Sequence, residues 1–243
     1  LKKYQFTFIS GVNTLFNKLL ENPDFKDCDF SELNISIAGG MPVQKSVGDK
    51  WQKTTGCLMA VGYGLSETSP AVSIDPIDGK SFSDAIGLPL PSTEMSIQND
   101  GGQILPVGDE GEICIRGPQV MRGYWNNDED TKKVLTKDGW FKTGDIGIMR
   151  EDGFFKIVDR KKDMIIVSGF NVYPSDIEEV AMKHEKVFEA GCIGVKGDNN
   201  QEVVKLFVSL NEGATLTKDE MTKYCRENLT AYKVPKLLEI VDE

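Results

Sequence analysis

The sequence predicts an α/β protein: βαβ units running into a β-rich, barrel-like subdomain, followed by a small α+β domain. Three observations predict it. Apolar runs alternate with helical stripes through residues 1–83, and short strand-like segments punctuated by turns fill 84–159. Past the charged run Asp159-Arg160-Lys161-Lys162-Asp163, mixed strand and helix patterns return through 163–243, with 160–162 as the boundary between domains.

Phe6, Phe8 and Ile9 read as a short buried strand. Val12, Leu15, Phe16, Leu19 and Leu20 recur at helical spacing, and Asn22-Pro23 stops that helix. Asn34 to Ala38 reads as a second strand. Pro42 suits the first turn of a helix whose face is Val43, Val47 and Trp51 and which ends at Gly56. Cys57 to Val61 is a third strand, so the order implies parallel βαβ units, whose ligands gather at the carboxyl ends of the strands. Farther on come Glu94 to Gln98, the turn Asn99-Asp100-Gly101-Gly102, Glu112 to Arg116, and Phe154 to Val158 as the last strand of the β-rich part. Met164 to Val167 opens the small domain. Ser175 with Glu178 reads as a capping box for a helix through Met182, and Thr217 with Glu220 as another. Ala190 to Val195 and Val203 to Ser209 are strands between those helices.

The chain has 243 residues, 40% of them apolar, enough for a substantial core. Its net charge of -10 argues against the broad basic face that nucleic-acid binding needs. Apolar runs fall far short of the roughly twenty residues of a membrane-spanning helix. Five scattered cysteines without a C-x-x-C pair indicate neither disulfides nor a zinc knuckle and suit a reducing cytoplasm. One histidine, His184, cannot build a multi-histidine metal site, and reads as a surface residue near a helix end. Leu1 in place of methionine suggests a piece of a longer chain.

Four segments could carry chemistry. In Val61-Gly62-Tyr63-Gly64-Leu65-Ser66-Glu67-Thr68-Ser69-Pro70 an apolar strand runs into glycines, hydroxyls and a carboxylate. Glycines let backbone approach an anion, hydroxyls donate to it, and a carboxylate beside phosphate is tolerable when a divalent cation neutralises both. An ordinary turn with a buried tyrosine explains that composition equally well. A hydrolase elbow fits worse, since it wants glycine at Thr68 and a histidine partner. Ile37-Ala38-Gly39-Gly40-Met41-Pro42 places glycines at a second strand end, as bland turns also do. Trp140-Phe141-Lys142-Thr143-Gly144-Asp145 supplies an aspartate able to accept from both ribose hydroxyls. Val158 to Pro174 supplies Arg160, able to bridge ribose and phosphate, although a solvated linker has the same charges.

Taken in order, these segments resemble the acyl-CoA synthetase branch of the adenylate-forming, AMP-binding superfamily, and most closely bacterial long-chain fatty-acid CoA ligases. The resemblance covers nearly the whole chain and includes Gly-Tyr-Gly-Leu-Ser-Glu-Thr, Gly117-Pro118-Gln119-Val120-Met121 to Gly123-Tyr124-Trp125, Thr-Gly-Asp, Asp159 to Pro174, and Tyr232-Lys233-Val234-Pro235. It implies residues 1–83 as the α/β part and 84–159 as the β-rich part of a large AMP-binding lobe, with 163–243 as the small carboxyl-terminal domain. It further implies ATP, Mg2+ and coenzyme A: a fatty-acid carboxylate attacks the α-phosphate, pyrophosphate leaves, and the coenzyme A thiol opens the acyl-adenylate.

By the matched motifs, Tyr63 would stack on adenine, Ser66 would bond the phosphate, and Glu67 would hold Mg2+. Ser66 departs from the family's usual threonine but keeps the hydroxyl. Gly39 and Gly40 would run beside adenine and the acyl carbonyl, Asp145 would take the ribose hydroxyls, and Arg160 ribose and phosphate. Lys162 falls at the hinge, while Ser168 and Gly169 would line the pantetheine path. A phosphate loop is expected upstream of Leu1 and a catalytic lysine beyond Glu243, so the isolated piece is expected to be inactive. Two other readings share these motifs: an aryl or amino-acid activator, and a non-catalytic nucleotide-binding module. Expected partners are small molecules and not nucleic acid. The expected location is the cytoplasm, with peripheral contact at the inner face of the membrane compatible with a long-chain substrate.

Overall fold

A computed structural model describes residues 3–77, 82–197 and 201–241. The chain divides into two compact units, Leu1–Thr143 with Gly147–Ile157, and Gly144–Ile146 with Val158–Glu243.

In the first unit, strands β1 (Phe8–Gly11), β2 (Ile35–Gly39) and β3 (Met59–Gly64) pair in parallel, joined by helices α1 (Asn13–Glu21) and α2 (Lys45–Thr55). β4 (Ala71–Ile74) and β5 (Leu88–Pro89) add antiparallel to complete a five-stranded sheet. The βαβ reading therefore holds, with local adjustments. β1 lies at the sheet edge, which leaves Phe8 50% exposed, while Phe6 and Ile9 pack on the core. The expected helix start at Pro42 is wrong. Gln44 is extended, its N–H is held by Asn13 Oδ1 at 3.1 Å, and the helix begins only at Lys45. Gly56 closes α2 in the left-handed region at φ 76, which a Cβ would disfavour.

The core of this half centres on Trp51, which is fully buried edge-on to Phe16 at 4.8 Å. Its indole N–H donates to Ser36 Oγ at 3.0 Å, so the buried donor is satisfied.

β6 (Glu94–Gln98), β7 (Gly111–Arg116), β8 (Phe141–Met149) and β9 (Phe155–Arg160) follow in spatial order. The Asn99–Gly102 turn is local: it sets Gln98 opposite Ile104, and the chain travels on to Gly111 before pairing with β6. Helix α3 (Asp128–Val134) was not expected from the pattern, and it buries no residue. It stands on its cap, Asn127 Oδ1 accepting the Asp130 N–H, and on acids in its first turn and lysines in its last.

In the second unit, β10 (Ile165–Val167) and β11 (Phe170–Val172) form a hairpin. β12 (Val187–Lys196), β13 (Glu202–Leu210) and β14 (Leu237–Val241) form a sheet in that order, antiparallel and then parallel. Helices α4 (Pro174–Met182) and α5 (Lys218–Asn228) supply Ile177, Met221 and Cys225 to a core shared with Ile165, Val172 and Leu206. Thr217 and Glu220 cap α5 reciprocally, Thr217 Oγ1 accepting the Glu220 N–H and Glu220 Oε2 the Thr217 N–H.

The Ser175–Glu178 capping box is overturned. Pro174 already occupies the first helical turn, Ser175 donates through its N–H to Asp159 Oδ2 and through Oγ to Val158 O, and the Glu178 carboxylate accepts the Cys192 N–H at 2.7 Å. His184 is half-buried, edge-on to Tyr224 at 4.8 Å, with Nδ1 accepting the Lys186 N–H. No disulfide joins the cysteines, all of which lie among the described residues, and burial pushes the Cys192 thiol up to about 12 and that of Cys225 to about 11. Among the described residues no helix is long and apolar enough to cross a membrane.

Candidate functional site

In the first unit β2 and β3 end side by side, with Gly39 opposite Gly62. A Cβ on Gly39 would stand 2.6 Å from the Gly62 carbonyl oxygen, so the strand ends pair this closely only with glycine there. Gly40 then turns the chain at φ 77.

β3 finishes at Gly64, where a Cβ would lie 1.9 Å from the Pro70 carbonyl oxygen. The segment after it doubles back. The Leu65 N–H reaches Pro70 O and Thr68 Oγ1, both at 3.0 Å, and the Thr68 hydroxyl donates to Pro70 O. That staple leaves Ser66 exposed and Glu67 half-buried on a short 3-10 turn. Tyr63, half-buried in β3, packs against the cluster that contains Val72, Ile86 and Phe155.

Glu67 is held twice. The Tyr124 hydroxyl donates to Oε1 at 2.9 Å, and the Met121 N–H donates to the Glu67 carbonyl at 2.7 Å. Burial, followed by the Glu67 carboxylate, pushes the Tyr124 phenol above its ordinary value, so it stays a donor at neutral pH. Glu67 Oε2 makes no hydrogen bond among the described residues. Mg2+ is commonly bound through one or two carboxylates with phosphate and water completing its shell, so this single oriented carboxylate fits that ion. Among the described residues no group of three ligating side chains could hold a metal by protein alone.

In the second unit, Asp145 is only 14% exposed and its Oδ1 lies 4.0 Å from Arg160 Nε. The Lys161 N–H donates to Gly144 O at 2.8 Å, which holds the two chain segments together. A sheltered carboxylate beside an exposed guanidinium offers both an acceptor for hydroxyls and a fork of donors for phosphate. Lys162, two residues farther, is exposed. Ser168 and Gly169 form the exposed turn of the β10–β11 hairpin, with φ 52 and 85.

Gly39, Gly40, Tyr63, Ser66 and Glu67 thus share the carboxyl ends of two parallel strands in one unit, while Asp145 and Arg160 are neighbours in the other. No pattern in the sequence assigns a role to Tyr124, Met121 or Thr68. The Gly123-Tyr124-Trp125 stretch was the available signal, but nothing in it names a partner so far upstream.

The AMP-binding enzyme family matches residues 1–125, and the AMP-binding enzyme C-terminal domain matches 176–243. The long-chain-fatty-acid–CoA ligase of Yersinia pestis is 54% identical over all of this chain, which covers 43% of that protein. Among solved structures, ATP-bound MatB from Rhodopseudomonas palustris is similar with a TM-score of 0.88 at 33% identity, over 98% of this chain and 47% of that one. O-succinylbenzoate coenzyme A synthetase (MenE) from Bacillus subtilis, in complex with AMP, gives 0.82 at 30%, over 99% and 48%. The chain therefore spans less than half the length of each. With glycine-lined strand ends and a tethered glutamate inside the first match, and the second match lying within the other compact unit, this chain belongs to the AMP-binding enzyme family.

Proposed function

We propose that the protein to which these residues belong is an AMP-forming long-chain fatty-acid–CoA ligase. The observation that carries this is the 54% identity, without a residue of this chain left over, to the Yersinia pestis ligase. The chemistry needs no covalent enzyme intermediate. The protein positions a fatty-acid carboxylate against the α-phosphate of ATP and offsets charge on the phosphates, then admits the coenzyme A thiol to the acyl-adenylate.

In this reading the backbone at Gly39 and Gly40 borders adenine and the acyl carbonyl, Tyr63 stacks on the base, and Ser66 donates to phosphate. Glu67, aimed by Tyr124, holds Mg2+, which neutralises phosphate charge when bound. Asp145 accepts from the ribose hydroxyls and Arg160 donates to ribose and phosphate; their proximity supports a shared ligand. Lys162 serves as the hinge between half-reactions, with residues 1–83 and 84–159 as lobe and β-rich subdomain and 163–243 as the moving domain. Ser168 and Gly169 border the pantetheine path. Peripheral contact with the inner face of the membrane from the cytoplasm belongs to the same proposal, because long acyl chains partition into bilayers.

The test is a substrate panel on the full-length protein. Pyrophosphate release from ATP should depend on palmitate, and palmitoyl-CoA should follow when coenzyme A is added. Release with benzoate or an amino acid but not palmitate would favour an aryl or amino-acid activator. Nucleotide binding without release would favour a non-catalytic module.

A further inference from the structure

We propose that Tyr232 and Lys233 are positioning residues for thioester formation, pinning the β10–β11 hairpin so that its Ser168-Gly169 tip keeps one place. The inference rests on the reading above, in which that tip borders the pantetheine path.

The hairpin needs an anchor. Its strands are three residues each, and an isolated two-stranded hairpin is marginal in water. One side is fixed, since Ile165, Val167 and Val172 are buried in the core of the second unit. Phe170 lies on that same face, directly opposite Val167, yet it is 55% exposed, so the row loses its cover at the tip end. Phe170 adjoins the tip, and its ring lies stacked on Tyr232, centroids 4.7 Å apart with planes 19° from parallel.

Tyr232 is itself held. It sits in the 3-10 turn Ala231–Lys233, packs with Val234 against the same core, and is followed by Lys233, whose Nζ pairs with Asp176 Oδ2 in the first turn of α4. Helix α4 begins two residues after β11 ends, so the Tyr232-Lys233 pair grips the hairpin on both sides of its exit: the ring on Phe170 and the ammonium on Asp176. A groove of about 1130 Å³ is bordered by Ser168 and Tyr232 together, so the tip faces open space that a ligand arm could enter.

A tip at φ 52 and 85 has the positive φ values of a tight hairpin turn, whose direction follows the strands beneath it. Releasing Phe170 lets the tip end lift while Ile165 and Val172 stay buried, which moves the tip without unfolding the domain. Nucleotide contacts assigned to Asp145 and Arg160 lie outside the hairpin and should be spared.

The experiment uses the full-length protein with Tyr232→Leu, Tyr232→Phe, Lys233→Met and Lys233→Arg. Adenylation is read by pyrophosphate exchange and thioester formation by acyl-CoA appearance, with hydrogen exchange followed at amides 165–172. Tyr232→Leu should slow thioester formation by about tenfold, as small misplacements of a reacting arm do, with adenylation within about twofold and faster hairpin exchange. Tyr232→Phe should restore both readouts, since the ring and not the hydroxyl does the holding. Lys233→Met should act in the same direction, and Lys233→Arg should recover it. Equal losses in both half-reactions, or unchanged hairpin exchange in Tyr232→Leu, overturn the proposal while leaving the ligase reading intact. A wild type that makes no acyl-adenylate from any carboxylic acid sinks that reading and the positioning role with it.

Discussion

The hydroxyl of Tyr124 donates to the carboxylate of Glu67 at 2.9 Å, across 57 positions of sequence. The Met121 N–H fixes the Glu67 backbone independently, so removing the hydroxyl should free the carboxylate without releasing its loop. Tyr124→Phe is expected to raise the Mg2+ concentration for half-maximal pyrophosphate release about fivefold, equivalent to the roughly 1 kcal/mol of one hydrogen bond. Thermal unfolding should be unchanged. A magnesium titration that superimposes on wild type would show that the bond does not orient the ligand.

Gly62 and Gly64 stand two residues apart in β3, yet their surroundings predict opposite outcomes. A Cβ on Gly64 would lie 1.9 Å from the Pro70 carbonyl, which is backbone, whereas one on Gly62 would meet an Ile37 methyl at 3.3 Å. Gly64→Ala should therefore displace the Ser66-Glu67 turn and cost at least about tenfold in ATP-dependent pyrophosphate release, by the sensitivity of positioned groups to shifts near 1 Å. Gly62→Ala should stay within about threefold, because a side-chain methyl gives way where a backbone carbonyl does not. Equal effects in a side-by-side assay would count against this account.

Trp51 is the largest side chain with zero exposure, and it links α2 to Phe16, Phe25 and Ser36. Trp51→Ala should cost about 3–5 kcal/mol in urea unfolding of the first unit, from the lost transfer energy and the cavity it leaves. Trp51→Phe should cost less, since most of the volume stays and only the Ser36 bond is lost outright. A loss under about 1 kcal/mol for the alanine variant would mean the core refills the space.

Asp75 is a buried carboxylate that accepts the Val61 N–H at 3.1 Å and the Ser83 hydroxyl at 2.6 Å. Burial raises its pKa above the ordinary 3.8, outweighing the two hydrogen bonds and Arg150, which act the other way. The folded state thus binds this proton more tightly than the unfolded chain. Stability from this group is highest below 3.8 and falls as pH rises through the raised value. Asp75→Asn removes the titration while keeping an acceptor for Val61. The variant should gain on wild type as pH rises through that window, measured as urea midpoints at a series of pH values. Parallel midpoint curves would refute the assignment.

What the sequence determined by itself is what is settled within a turn or two of chain. The helical stripe closing at Asn22, the left-handed end of α2 at Gly56 and the Thr217–Glu220 cap all depend on near neighbours, and strand and helix alternating at short range then dictate the parallel pairing of β1, β2 and β3. Candidate residue types at the strand ends were equally legible, because glycine, hydroxyl and carboxylate are visible as letters.

The tertiary structure decided who binds whom. Ser175 and Glu178 have the spacing of a cap, but Ser175 falls inside the first turn of α4 and the two residues are taken by Asp159, Val158 and Cys192. α3 buries no residue and so left no periodicity to read, and Phe8 is half exposed because β1 falls at an edge that only the strand order reveals. Tyr124 finding Glu67, and Tyr232 finding Phe170, are of the same kind. A donor or a ring is satisfied by whatever the folded backbone brings within reach, and chain separation does not enter that distance.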